Sequence, residues 1–194
     1  MSGSKLKNLF KIVGVVLTLV TIVIISLILY STRKPSAGGD FSLTYKNQLW
    51  KFSENPKKLN LLYFGYAKCP DVCPLTLSYA GSAFKKLTEA ELKNIRLIFL
   101  SVDQAHDDPL AVAEYATNFF PNFIGLSGSR EQIDSTIKLF PASYIIEDNP
   151  KSYLGYSIAH TDRIFFLDDE GMLIDSISSP RDAELVLNKI RENL

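Results

Sequence analysis

Leu61-Leu62-Tyr63-Phe64-Gly65-Tyr66-Ala67-Lys68-Cys69-Pro70-Asp71-Val72-Cys73-Pro74 is the stretch that decides the fold of this chain. From Leu59 to Tyr66 the residues are almost continuously apolar or aromatic, the pattern of a strand buried on both faces of a sheet. Pro70 and Pro74 then bracket a helix start: proline is tolerated in a first turn, and Asp71 suits the positive end of a helix. Leu75, Tyr79, Phe84 and Leu87 continue at roughly helical spacing, with Ala80 and Ala83 between them, so the helix is expected to end near Leu87-Thr88. A buried strand therefore runs into a helix through a turn that carries the chain's two cysteines, Cys69 and Cys73.

Cysteines just before and inside the first turn of a helix lie in a positive field, which favours thiolate. Thiolate is both a nucleophile and a metal ligand, so disulfide exchange and metal binding are both open. Spacing weighs between them. If both residues were helical, positions i and i+4 would place their Cβ atoms about 5–6 Å apart, whereas a disulfide wants about 3.5–4.5 Å. Two sulfurs on one side of a helix start can instead converge on one ion, and soft thiolates select Cu(I) and also hold Zn. The chain has two histidines, His106 and His160. His160 follows Tyr156-Ser157-Ile158-Ala159 at the mouth of a strand, where a thioredoxin-like fold brings the entering loop against the active-site helix. Cys69, Cys73 and His160 together suit three-coordinate Cu(I), or Cu(II) with an added oxygen ligand. Structural zinc normally takes four protein ligands, and only three are found. His106 sits in an Asp-rich loop and is expected to be solvated; Met172 is expected in the core.

Outward from this turn, the remaining elements alternate. Phe41 to Tyr45 and Leu49 to Phe52 form a short hairpin around Lys46-Asn47-Gln48. Ile95 to Val102 is a second buried strand. Leu110 to Phe120 is a helix, Asn122 to Leu126 a short strand, and Ser129 caps a helix running to about Leu139. Ala142 to Ile146, Tyr156 to Ala159 and Ile164 to Asp168 read as strands. Met172 to Ile177 is the partner of the last across the turn Asp169-Glu170-Gly171, and Pro180 to Leu194 closes the chain as a helix. Strand–helix–strand followed by a late antiparallel hairpin and a final helix defines an α/β, thioredoxin-like sandwich with an N-terminal hairpin.

Before this domain, over 41–194, the chain reads as an anchor. Ile12 to Tyr30 contains no charge; about 19 residues at about 1.5 Å rise give roughly 28 Å, close to a bilayer core. The run lacks a convincing small-x-small cleavage site, which favours an uncleaved signal anchor over a cleaved leader. No cysteine follows it to make a lipoprotein anchor. Residues 1–11, with Lys5, Lys7 and Lys11, form a short inner terminus, and 31–40 a tether. Charge slightly favours the domain outside. The whole chain carries 21 Lys+Arg against 21 Asp+Glu, which argues against a nucleic-acid binder. At 46% hydrophobic it is too apolar for a disordered chain.

Three features then resemble the Sco/SenC family. They are Tyr63-Phe64-Gly65-Tyr66-Ala67-Lys68-Cys69-Pro70-Asp71-Val72-Cys73-Pro74-Leu75-Thr76-Leu77, the loop Ser101-Val102-Asp103-Gln104-Ala105-His106-Asp107-Asp108-Pro109, and the single later histidine before a strand and an acidic turn. The resemblance runs from about Phe41 to the end. It implies a membrane-anchored, thioredoxin-fold copper protein that helps assemble the dinuclear copper centre of cytochrome c oxidase. The metal ligands it implies fall on Cys69, Cys73 and His160. It also implies oxidase subunit II and other copper chaperones as partners, at the inner membrane, with the domain in the periplasm of a bacterium or, less favoured, in the mitochondrial intermembrane space. The alternative is a thiol-disulfide oxidoreductase that keeps the target's cysteines reduced; a classical enzyme is not expected, and the Thr-x-x-Cys context of a peroxidase is lacking. Two departures stand out. Ala159 precedes the histidine where the family commonly has aspartate, and Gln104 and His106 replace a proline and an arginine in the loop, with Asp103 and Asp107 retained.

Overall fold

The computed structural model describes the backbone of residues 3–31 and 37–194, and side-chain exposure for 10–26 and 37–194. Two compact units emerge, Met1–Ser36 and Ala37–Leu194. In the first, α1 (Gly3–Ser31) is one continuous helix, and its described side chains, Phe10 to Ser26, are all exposed. Among the described residues no helix is long and apolar enough to cross a membrane; the apolar run read over 12–30 extends past the last described side chain. Part of the tether read over 31–40 lies outside the described residues.

The second unit is built on a five-stranded sheet. At its centre lie β3 (Leu59–Gly65) and β4 (Ile95–Ser101), in which every residue is buried. They pair in parallel from Leu59↔Ile95 to Gly65↔Ser101. Burial on both faces explains why both read as unbroken apolar runs. A short β5 (Ile124–Leu126) adds in parallel to β4. On the other side, β8 (Arg163–Leu167) pairs antiparallel with β3, and β9 (Leu173–Ser178) with β8. The order is β5-β4-β3-β8-β9. Between β3 and β4 runs α2 (Val72–Phe84), which packs against the closing helix α6 (Ala183–Asn193). Val186, Leu187 and Ile190 are its buried stripe.

The hairpin β1 (Ser42–Tyr45) and β2 (Gln48–Lys51) turns through Lys46 and Asn47, both at positive φ, the conformation that a two-residue hairpin loop needs. It attaches to the sheet edge by reciprocal backbone bonds between Thr44 and Ser127, at 2.7 and 3.0 Å. The C-terminal end of the segment read as a tether is held as well. Gly39 N–H donates to Gly171 O at 2.9 Å and Leu173 N–H to Ala37 O at 2.8 Å. Gly38 lies so close that a Cβ there would stand 2.4 Å from the Gly171 carbonyl oxygen. On the other side of the sheet edge, α4 (Pro109–Thr117) packs against β5 and β1, and α5 (Arg130–Ile137) against β1. Ser129 caps α5 through a reciprocal capping box with Gln132.

Two elements differ from the sequence pattern. A short α3 (Glu89–Asn94) precedes β4. It buries no residue, so it has no apolar period to read; the Thr88–Glu91 capping box alone starts it. The strands β6 (Tyr144–Asp148) and β7 (Tyr156–His160) form a separate two-stranded arm, paired from Tyr144↔His160 to Asp148↔Tyr156. Ile145 and Ile146 are exposed on it. An arm lying off the main sheet has no second layer to bury its outer strand. Two helices also end early: α2 at Phe84 and α4 at Thr117, each followed by turns that keep Leu87 and Phe123 in the core.

Candidate metal centre

The site forms where β3 ends. Cys69 lies in the turn after β3, its N–H donating to Tyr66 O at 3.1 Å, and Cys73 lies in the first turn of α2. Both are free and buried, Cys73 completely and Cys69 at 9% exposure. His160 is the last residue of β7. Its Nε2 stands 3.3 Å from Cys73 Sγ, and one ligand atom each from Cys69, Cys73 and His160 lie within 4.8 Å of one another. The sequence-selected trio is thus brought together, with Cys73 and His160 lying 87 residues apart in the chain.

The imidazole is oriented by its other nitrogen. Nδ1 is 3.3 Å from the Thr161 carbonyl oxygen. A carbonyl only accepts, so Nδ1 carries the hydrogen and the Nε2 lone pair faces the sulfurs. The rings of Tyr63 and Tyr66 flank the imidazole with centroids 6.0 Å away and planes nearly perpendicular to it. Room for the inner sulfur comes from Gly65: a Cβ there would stand 2.7 Å from Cys73 Sγ and 2.8 Å from Phe99 Cε2.

The two thiols are unequal. Cys69 is held well below the ordinary thiol range, first by a hydrogen bond from Cys73 and further by the backbone N–H groups of Asp71 and Cys73, against the opposing effect of burial. Cys73 is pushed up, by the same hydrogen bond to Cys69 and by burial. The metal-free pair therefore shares one proton, which sits on the inner sulfur, and the outer sulfur is the thiolate. Such a pair can coordinate a soft ion once Cys73 gives up its proton, or attack a disulfide through Cys69.

The loop after β4 braces the turn from below. Asp107 Oδ2 accepts from Ala67 N–H at 2.7 Å and from the Ser101 hydroxyl at 2.6 Å. Burial pushes its carboxyl above the usual range. Asp103, fully buried, accepts a short hydrogen bond from the Tyr156 hydroxyl and pairs with His106 Nδ1 at 2.7 Å. His106 is stacked on Tyr156 with ring centroids 4.4 Å apart; it is half exposed and tied to the loop rather than free in solvent. It does not belong to the ligand cluster. Ala159 is exposed on the arm opposite Ile145, so the position of the missing aspartate opens outward. Tyr153, from the arm's loop, donates to the Lys68 carbonyl at 3.0 Å. Tyr153 carries no local signal, because its partner lies 85 residues away in sequence.

A parallel β3–β4 core, a cysteine pair at the start of the following helix and a histidine on the strand before β8 define a thioredoxin-like protein with a dithiol–imidazole centre. The chain belongs to the SCO1/SenC family, whose model matches residues 30–194. It is 34% identical over 158 residues to mitochondrial SCO2 of Saccharomyces cerevisiae, covering 81% of this chain and 52% of that protein. The chain thus spans about half the length of the first curated relative it matches. The apo Sco1 structure of Thermus thermophilus aligns with TM-score 0.74 and 30% identity, over 84% of this chain and 95% of that one. ScoI of Arabidopsis thaliana, solved with copper bound, aligns with TM-score 0.74 and 27% identity, over 81% and 98%.

Proposed function

We propose that this protein is a membrane-anchored copper carrier that holds its cargo on Cys69, Cys73 and His160 and passes it to the copper-site subunit of cytochrome c oxidase. Proteins of its family take part in copper binding, thiol redox chemistry and oxidase assembly. The observation that carries the proposal is the convergence of the three ligand atoms within 4.8 Å. Two soft sulfurs and one borderline nitrogen fit Cu(I), and a three-ligand set leaves room for an incoming ligand from an acceptor. Cys69, at the rim, is the sulfur that an acceptor meets first.

The remaining assignments follow from sequence. The uncharged run over 12–30, inside a continuous helix, acts as a signal anchor in the inner membrane. Lysines on its N-terminal side keep residues 1–11 inside and place the domain in the periplasm, next to oxidase subunit II and to other copper carriers. The site works by its own groups: Thr161 O fixes the imidazole tautomer, Gly65 leaves space for the inner sulfur, and Asp107 holds the turn.

A second function is favoured by the unequal thiols. As a reductant, the Cys69 thiolate attacks a disulfide of the target, forming a mixed disulfide and releasing one target thiolate. Cys73 then gives up its proton and attacks the Cys69 sulfur, which closes Cys69–Cys73 and releases the second target thiol. Two electrons pass to the target, and an external dithiol must re-reduce the pair.

The test is titration of the reduced full chain, in detergent, with Cu(I) and Cu(II), beside His160→Ala. Carrier function predicts binding at least ten-fold tighter in the wild type. Equal binding refutes the three-ligand site. If His160→Ala still supports oxidase assembly while Cys69→Ala and Cys73→Ala abolish it, the reductant role is the operative one.

A further inference from the structure

The structure assigns to Asp162 the positioning of His160, through a partly buried network that ties the site to α2 and to the segment leading into α6. This rests on the metal-centre function proposed above and names the residue that makes its imidazole rigid.

Asp162 follows His160 by two residues, in the link between β7 and β8, and its side chain is 18% exposed. Its Oδ1 accepts from the Tyr63 hydroxyl at 3.0 Å and from Thr76 Oγ1 at 3.1 Å. Its Oδ2 accepts from Arg181 Nη2 at 2.6 Å. Arg181 Nη1 closes the ring by donating to Thr76 Oγ1 at 2.7 Å. The Asp162 carbonyl accepts from Ser179 N–H at 2.9 Å. One side chain thus joins β3, through Tyr63, to α2, through Thr76, and to the lead into α6, through Arg181.

Three consequences follow for His160. Tyr63 and Thr76 are fully buried, so their hydroxyls have no water to fall back on, and Asp162 is held hard against the core. On its other side the backbone is held by the arm, since Thr161 N–H donates to Ser143 O at 3.0 Å. His160, paired with Tyr144 at the end of β7 and two residues before Asp162, therefore has little freedom to swing. The Tyr63 ring, fixed at its hydroxyl by Asp162, also packs nearly perpendicular to the His160 ring, with centroids 6.0 Å apart. An exposed ion pair alone would contribute little. The effect comes instead from the geometry that Asp162 imposes on buried partners, and outer partners of this kind change metal affinity by about 10–100-fold. With Ala159 exposed, the carboxylate that supports the imidazole in this chain comes from the C-terminal side and from within the fold.

The test uses the reduced, metal-free full chain in detergent, labelled with 15N at histidine. The two histidines give two sets of ring signals, so His106 is an internal reference. In Asp162→Ala the His160 ring signals should shift and broaden while those of His106 stay. Copper affinity should fall about 10–100-fold. Asp162→Asn keeps an oxygen acceptor for Tyr63 and Thr76, and should restore most of both. A control of similar lost stability, Leu43→Ala in the distant β1–β2 hairpin, should move neither. If Asp162→Ala fails to fold, Tyr63→Phe removes only the hydroxyl and should shift the same His160 signals. Unchanged His160 signals in these variants, or equal changes in Leu43→Ala, overturn the assignment. If the wild type itself fails to bind copper, the carrier function falls, and the ring signals still decide the role of Asp162.

Discussion

Gly65→Ala is a one-carbon test of the site. The residue ends β3, directly under Cys73, and it is not among the glycines at positive φ. Alanine therefore meets no backbone penalty there, and the substitution acts through space alone. The added Cβ would stand 2.7 Å from Cys73 Sγ and 2.8 Å from Phe99 Cε2, where comfortable contact is about 3.5–4.0 Å. One or both neighbours must move by about 1 Å. Both are fully buried, so there is no free volume to take them up. Overpacking of this kind costs about 1–3 kcal/mol. It outweighs the about 0.4–1 kcal/mol gained by restricting the unfolded chain. A shift of about 1 Å is also a large fraction of the 3.3 Å between Cys73 Sγ and His160 Nε2, so the ligand triangle opens. We expect a net loss of about 1–2 kcal/mol in urea unfolding of the metal-free protein, with copper affinity reduced at least ten-fold. Adding Cys73→Ala should recover part of the stability, with a coupling of at least about 0.5 kcal/mol. Wild-type stability together with affinity within two-fold would refute the steric argument. So would a double variant that shows strict additivity.

Two further outcomes follow from the electrostatics. In the reduced, metal-free protein, alkylation of Cys69 by iodoacetamide should change little between pH 6 and 8, because hydrogen bonding from Cys73 already holds it as thiolate. In Cys73→Ala, which removes the largest of these stabilising contacts, the rate should rise more with pH than in the wild type, and mass spectrometry of the labelled peptide separates the two cases. Burial raises the Asp107 carboxyl above its unfolded value. The folded state then binds the proton more tightly, so this group stabilises the fold progressively as pH falls through its folded pKa, and fully below the unfolded value of about 3.9. Wild type should therefore gain stability relative to Asp107→Asn as pH drops from 7 towards 4. Parallel stability profiles for the two proteins would contradict this.

Much of the architecture was legible in the chain because its signals are local. Leu59–Gly65 and Ile95–Ser101 read as buried strands since both of their faces are covered. Ser129 and Gln132 announced a helix start through their own hydrogen bonds. The arm was less legible. Its strands appear singly in the sequence, but their pairing with one another, away from the main sheet, depends on which edges the rest of the fold leaves open. The helix Glu89–Asn94 had no apolar stripe to show.

Sequence alone singled out Cys69, Cys73 and His160 as candidate ligands: residue type, the spacing of the pair and the scarcity of histidine left few alternatives. Only the tertiary structure decided how those three side chains are held. Gly65 had to be seen beneath Cys73, Asp107 beneath Ala67, and Asp162 between Tyr63, Thr76 and Arg181. A donor type is a property of one side chain and survives in a string of letters. A hydrogen bond between residues 99 or 86 positions apart exists only after the chain has folded, because nothing in the local sequence records which buried hydroxyl a carboxylate will meet.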